Sequence, residues 1–422
     1  MEGSFIDVIT VPDVRRDVPA PLYPTFPREE YEARVTRLQD AMDKLGCEIL
    51  LLTTKENIRY VTGYTSWYLS SNFRPVICLV PNRGKPVLVL RILEKYNVEI
   101  TSWIDRVICW GSPGRGVDNV VAHDLITACK MAITDIHSDS AVIGLEAGDG
   151  SRFGAHLSFL HDLSQAMPET KYVDGSTAIW QARMIKSPFE IERIKKASEA
   201  VEGAIDYAFS RVRPGIRENE IARAIAEYMA SKGVDKISYL TVVTGEDRYA
   251  TFNAYATDRE VKKGDLILVD ISGHYEGYAS DLTRVAKVGK ATLEEKSLAE
   301  AAYSSVMKGI ASARLGVPIS EVNGVVEGDI IQSGYKDWLI HSSGHSIGLD
   351  VVEYPMIRSG ESLPIQAGMV FAVEQGVYPY RKEIGVSSIY TSFRYEDVIV
   401  VTDDEPIHLS GPSSPLVELC TD

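Results

Sequence analysis

A chain of 422 residues is longer than one hydrophobic core usually serves, so its length points to two domains, each large enough for a core of its own. A net charge of -15, with 45% hydrophobic and 24% charged residues, argues against a nucleic-acid or anionic-membrane partner and favours cationic ligands, metals among them. Five cysteines (Cys47, Cys78, Cys109, Cys129 and Cys420) form no CxxC pair and are odd in number, which speaks against a disulfide framework and a thiolate zinc site. Met1–Asp7 lacks a basic leader and no stretch approaches about 18 uncharged apolar residues, so a cytoplasmic protein is expected.

In chain order, residues 1–27 carry Pro12, Pro19, Pro21, Pro24 and Pro27 and read as an extended arm. From Arg28 the apolar residues Tyr31, Val35, Leu38, Met42 and Leu45 recur at helical spacing, and Gly46 ends the pattern. Strand-like runs follow at Glu48–Leu52, Val76–Val80, Val87–Leu90, Arg106–Trp110 and Ala141–Leu145, with helical stretches near Asp118–Ile133 and Phe153–Ala166. Such alternation predicts a smaller α/β domain over residues 28–182. Ser187-Pro188-Phe189-Glu190 is a capping box with proline at the first helical position, so a second domain is placed over 183–412, before a short tail, 413–422. This domain reads as two halves of like element order. Helices near 188–212 and 217–232 precede strands near Ile237–Val243, Asp265–Ser272 and Tyr278–Val288; helices near 293–314 and 319–333 precede strands near Met369–Val377 and Phe393–Val401.

Chemistry concentrates in that second domain. Leu266–Arg284 reads as a β-hairpin, and closure at Tyr275-Glu276 sets Asp270 directly opposite Asp281. Two carboxylates so close repel unless a cation lies between them. Glu374 ends an apolar run expected to be buried, Glu396 sits between Phe393/Tyr395 and Val398-Ile399-Val400, and His345 lies in a glycine-containing loop where backbone can approach a ligand. Folding the two halves face to face brings the aspartate hairpin opposite the glutamate strands.

The segments LVDISGHYEGYASDLTR, HSSGHSIGLDVVEYP, AGMVFAVEQGVY and FRYEDVIVV resemble the signature blocks of peptidase family M24, the pita-bread metallohydrolases that include prolidase and aminopeptidase P, with creatinase as a metal-free relative. Arg183–Ile191 resembles the junction before the family's catalytic domain, and Asn57–Tyr64 resembles the creatinase/prolidase-type N-terminal domain. The fold implied is α/β (α+β), an N-terminal α/β domain followed by a pita-bread domain. Carried over residue by residue, the family's two-metal site falls on Asp270, Asp281, His345, Glu374 and Glu396, and Glu374 matches the glutamate that also handles the proton of the attacking water. This hard donor set suits two divalent ions, Mn²⁺ first, with Fe²⁺, Co²⁺ and Zn²⁺ as alternatives.

The departures concern the substrate side. Where prolidases and aminopeptidases P carry two further histidines, this chain has Asn253 and Val352, the latter followed by Glu353. His341 and Arg394 match positions flanking the metal site, His341 as a second catalytic candidate. Asn253, Glu353 and Arg394 are the candidate substrate-binding residues, with Phe73 and Arg74 from an aromatic-basic loop, Trp67–Arg74, that related homodimers place over the neighbouring subunit's site. The resemblance implies hydrolysis of a C–N bond in a dipeptide or other small molecule, Xaa-Pro dipeptidase- or aminopeptidase-like. Its alternatives are a non-peptide hydrolase of the ectoine-hydrolase or creatinase kind, a lyase like those acting on dimethylsulfoniopropionate, and a binding protein without activity.

Overall fold

The computed structural model describes residues 26–71, 73–112, 122–137, 139–245, 253–379, 392–411 and 413–420. The expected arm therefore lies outside the described residues except for Phe26 and Pro27, as do the start of the helix placed at Asp118 and the last two residues of the tail. The chain divides into two units, Met1–Arg183 and Met184–Asp422.

In the first unit the helix Arg28–Leu45 buries Tyr31, Val35, Leu38 and Met42, and Gly46 closes it at φ 63° with its N–H on the Asp43 carbonyl. Leu45, expected on the buried stripe, is 39% exposed, because the stripe turns outward in the last turn. Strands β1 (Ile49–Leu52), β2 (Ile77–Pro81), β3 (Val87–Arg91), β4 (Val107–Trp110), β5 (Val142–Leu145) and β6 (Lys171–Asp174) form one sheet of order β4-β3-β2-β1-β5-β6. The helices Leu125–Ile136 and Leu157–Ala166 cover it with Ala128, Ala132, Ile133, Phe159 and Leu163 against Ile49, Leu51, Ile77 and Ile143.

The Asn57–Tyr64 block has a physical explanation in this unit. Asn57 Nδ2 donates to the buried Glu146 carboxylate (2.6 Å) while its Oδ1 accepts from Arg183 (2.7 Å), and Tyr60 donates to the Ala182 carbonyl (2.7 Å). Glu146 also takes the N–H groups of Thr53 and Thr54, so a carboxylate that would be costly to bury alone is fully engaged. Gly63 ends the helix Lys55–Thr62 at φ 69°, and a Cβ there would lie 2.7 Å from the Tyr31 hydroxyl. Gly63→Ala is thus expected to cost about 1–3 kcal/mol, from the left-handed backbone and the displaced ring, read as a lower urea midpoint for the first unit.

In the second unit the capping box is present: Ser187 N–H donates to Glu190 (2.9 Å), and the helix runs Pro188–Phe209. The helix Glu218–Ser231 follows, then strands β7 (Val234–Thr244), β8 (Leu266–Tyr275) and β9 (Tyr278–Val288). Helices Leu293–Ser312 and Ile319–Gln332 lead to β10 (Gly344–Ser346), β11 (Glu353–Met356), β12 (Val370–Val377), β13 (Phe393–Val400), β14 (Ile407–His408) and β15 (Val417–Leu419). The sheets are β15-β9-β8-β7 and β11-β10-β12-β13-β14. Strand alternation sorts the faces. Phe371, Val373, Tyr395 and Ile399 pack among Val306, Ile310, Val322 and Val326 of the helices, which leaves Glu374 and Glu396 on the opposite face. Gly273 of β8 lies against Met229 and Val201 of the other helix pair, so Asp270 and Ser272 also face away from helices. Among the described residues no helix is long and apolar enough to cross a membrane.

Candidate metal centre

The hairpin closes one residue later than expected. Glu276 (φ 47°) and Gly277 (φ 82°) form a two-residue turn with positive φ at both positions, the geometry that matches strand twist. Tyr275 therefore pairs with Tyr278, Asp270 with Thr283, and Ser272 with Asp281. The aspartates are diagonal rather than directly opposite, but they stay on one face because the shift moves each partner by two places. Glu374 and Glu396 are directly opposite on β12 and β13. His345 faces Ala372 across β10 and β12, and Gly344 permits that approach: a Cβ there would lie 2.1 Å from the Ala372 carbonyl oxygen.

These strands bring Asp281, His345 and Glu396 together, with a ligand atom from each within 4.8 Å of the others. His345 Nδ1 lies 3.0 Å from the Ser346 carbonyl. A carbonyl only accepts, so Nδ1 carries the proton and Nε2 presents its lone pair 3.8 Å from Asp281 Oδ2. Tyr239 of β7 donates to Asp281, and Arg394 of β13 donates to Asp270. Thr283 Oγ1 lies 3.1 Å from Asp270 and 2.9 Å from Glu396. One hydroxyl has one proton to give, so two carboxylates crowd a single donor.

Burial holds the Asp270 carboxyl above the usual range, with Glu374 adding repulsion and Arg394 opposing it. Asp281 is pushed well up by burial and then by Asp270, and Glu396 by burial and then by Asp281 and Glu374. Among the described residues Glu396 Oε1 and Arg394 Nε are buried with no hydrogen-bond partner. Anionic carboxylates packed this way require protons or cations, and an orphaned carboxylate oxygen beside an imidazole lone pair fits a divalent ion.

Glu374, expected to be buried, is partly exposed, whereas Asp270, Asp281 and Glu396 are buried. His341 is joined to the cluster: its Nδ1 lies 2.7 Å from the Ser342 carbonyl and its Nε2 2.6 Å from the Tyr378 hydroxyl. Burial raises the Tyr378 phenol, with Arg394 beside it opposing, so Tyr378 stands protonated between His341 and Arg394. Asn253 is exposed in the left-handed region (φ 53°), immediately after residues 246–252, and its neighbour Phe252 lies outside the described residues. Val352 is 52% exposed. Glu353 is buried and turned to Lys186. Phe73, 91% exposed, and Arg74, which donates to Tyr68, lie in the first unit.

Sequence reasoning missed Tyr239, Tyr378 and Thr283. Thr283 stands two residues after Asp281 and was findable as a hydroxyl on the same strand face. Tyr378, four residues after Glu374, had only proximity, and Tyr239 had no signal at all.

The profile of metallopeptidase family M24 matches residues 192–403, and that of the creatinase/prolidase N-terminal domain matches 34–185. The chain is 25% identical over 371 residues to the uncharacterized peptidase YqhT of Bacillus subtilis, covering 88% of this chain and 96% of that one. It is 28% identical over 259 residues to an Xaa-Pro dipeptidase of Pyrococcus horikoshii, covering 61% and 72%. The fold matches that of dipeptidase PepE from Mycobacterium ulcerans with a TM-score of 0.79 at 24% identity, over 94% of this chain and 100% of that one. With the family profile spanning half of its length, the chain belongs to metallopeptidase family M24, a hydrolase whose peptidase domain follows a creatinase/prolidase N-terminal domain.

Proposed function

We propose that this protein is a dinuclear-metal-dependent hydrolase that cuts an amide C–N bond in a dipeptide or similarly small substrate. One observation supports this most: Asp281, His345 and Glu396 each bring a ligand atom within 4.8 Å of the others, with Asp270 and Glu374 near enough to repel Glu396, whose Oε1 is buried and unpaired. Asp270, Asp281, His345, Glu374 and Glu396 would hold two divalent ions, and their hard oxygen-rich set favours Mn²⁺. Ions bound there supply polarisation of the scissile carbonyl and an acidified water.

The chain's own groups do the rest. Arg394 and Thr283 orient Asp270, and Tyr239 orients Asp281. Glu374, the partly open carboxylate, accepts the proton of the attacking water and returns it toward the leaving nitrogen. Tyr378, buried and donating to His341 Nε2, stands beside Arg394 and steadies it against Asp270. The Xaa-Pro dipeptidase among the relatives supports a dipeptide substrate. Asn253 and Val352, neither able to carry a proton at neutral pH, favour a second reading, a non-peptide C–N substrate on the same machinery.

The test is a chelator-stripped sample reloaded with Mn²⁺, assayed by elemental analysis and against proline dipeptides, N-acyl amino acids and cyclic amidines. Close to two ions per chain and metal-dependent turnover are expected. Protein that takes up no ion and hydrolyses nothing sinks the reading. The protein also acts as a homodimer in this proposal, the exposed Trp67 and Phe73 covering the partner's site. Sedimentation should give twice the 46.6 kDa chain mass, and a fully active monomer would remove the shared site.

A further inference from the structure

Lys186 and Glu353 form an ion pair that the chemistry above does not use. Their side chains are 1% and 0% exposed, with Lys186 Nζ 3.1 Å from Glu353 Oε2. Burying two charges carries a desolvation cost that an apolar pair of the same size avoids, so stability alone is a poor reason for the pair. What the pair touches is more telling. Lys186 Nζ also donates to Ser346 Oγ (3.0 Å), in the residue next to His345, and Ser346 Oγ in turn donates to the Val370 carbonyl (3.1 Å). Glu353 Oε1 accepts the Asp350 N–H (3.1 Å) and lies so close to Gly348 that a Cβ there would meet it at 2.6 Å. The Gly348 carbonyl accepts the N–H of Ala279 (2.7 Å), two residues before Asp281 on β9. Both ends of the ion pair thus grip one segment, 346–350, which ties the strand of His345 to the strand of Asp281.

We propose that Lys186 and Glu353 are positioning residues that set the separation of His345 and Asp281, and hence the affinity of the ion they share. The proposal rests on the metal-site reading above. Outer partners that fix ligand orientation typically contribute about 10–100-fold to metal affinity.

The experiment compares wild type with Lys186→Met/Glu353→Met, which removes both charges together and leaves no buried orphan, and with Lys186→Arg as the conservative variant. Calorimetric titration of chelator-stripped protein with Mn²⁺ should show the affinity for one of the two ions lowered by about tenfold or more in the double variant, partial recovery in Lys186→Arg, and a fall in kcat with KM little changed. A folded double variant with wild-type affinity for both ions overturns the proposal. Should the double variant not fold, Ser346→Ala decides, because it cuts the contact from Lys186 to β10 and keeps the ion pair; unchanged Mn²⁺ affinity there overturns the proposal. Amide exchange at Ser346–Asp350 in the metal-free protein supplies a readout independent of any ion, expected about tenfold faster in the double variant. Wild-type protein that binds no Mn²⁺ defeats the metal reading, while unchanged exchange defeats the positioning role.

Discussion

Asp281→Asn is expected to give a metal-free protein that melts higher than wild type and binds divalent ions more than about 100-fold more weakly, since even the partners of ligands contribute 10–100-fold. Asp281 is buried beside Asp270 and Glu396, and its carboxyl is held well above its ordinary range by burial and by Asp270. Asparagine keeps the shape and the bond to Tyr239 and removes the repulsion. A gain of about 1 kcal/mol would raise the midpoint by roughly 2–4 °C. The pH dependence follows in sign. Asp270, Asp281 and Glu396 all have raised folded values, so the metal-free native state holds protons that the unfolded chain releases near pH 4. Their contribution to stability is fully present below about pH 4 and is lost as pH rises through the folded values. In metal-loaded protein the sign reverses, because protons compete with cations. Melting curves of stripped and reloaded samples across about pH 4–8 should therefore diverge as pH rises; a stripped protein that gains stability over that range would show that the carboxylates do not confront one another.

Much of this site was readable in the sequence because its parts are local. The aspartates lie within one hairpin, each glutamate within one strand, and alternation alone decides which face they share. The hairpin's closure was misplaced because Gly273 and Gly277 both look like turn residues, whereas only Glu276 and Gly277 adopt positive φ there. The three-residue strand Gly344–Ser346 was not readable, since three residues carry no period. The helix Lys55–Thr62 escaped for a related reason: its eight residues bury Glu56, Asn57 and Thr62 beside Ile58 and Val61, which blurs the apolar stripe. The resemblance assigns Glu353 to the substrate side, and its partner Lys186 is not legible in the sequence because 167 residues separate the two and no local pattern connects them.

Turnover of Xaa-Pro dipeptides by the wild-type protein is expected to be on the order of 10²-fold or more below that of a variant carrying Asn253→His and Val352→His. Cleaving an amide requires stabilising a developing oxyanion and delivering a proton to a poor leaving amine, and general acid–base help is worth about 10²–10⁴-fold. Asn253 can donate a hydrogen bond but cannot shuttle a proton, and Val352 can do neither. Val352 is half exposed and Asn253 exposed, so neither substitution has to displace a packed core. The comparison is kcat/KM for the two proteins with Mn²⁺ at saturating concentration. Vigorous wild-type cleavage would show that the His341–Tyr378 pair or another group already fills the role.

The ligand set is shared between the two halves of the second unit. Asp270 and Asp281 come from the first half and His345, Glu374 and Glu396 from the second, and an exposed turn at Lys290 joins them. Between β9 and β13 the seam is mixed: Thr283 reaches Glu396, and Arg284 donates to the Glu396 carbonyl (2.5 Å) and to Asp397 (2.6 Å), while Leu268 and Val285 share a buried apolar cluster with Val377 and Phe393. Neither half alone holds the full set, so bound ions would act as a rivet between them, adding their binding energy to that seam more than to either half's own core. Cutting the chain at Lys290 would make the rivet visible, because two fragments that associate more tightly when Mn²⁺ is present would report it directly.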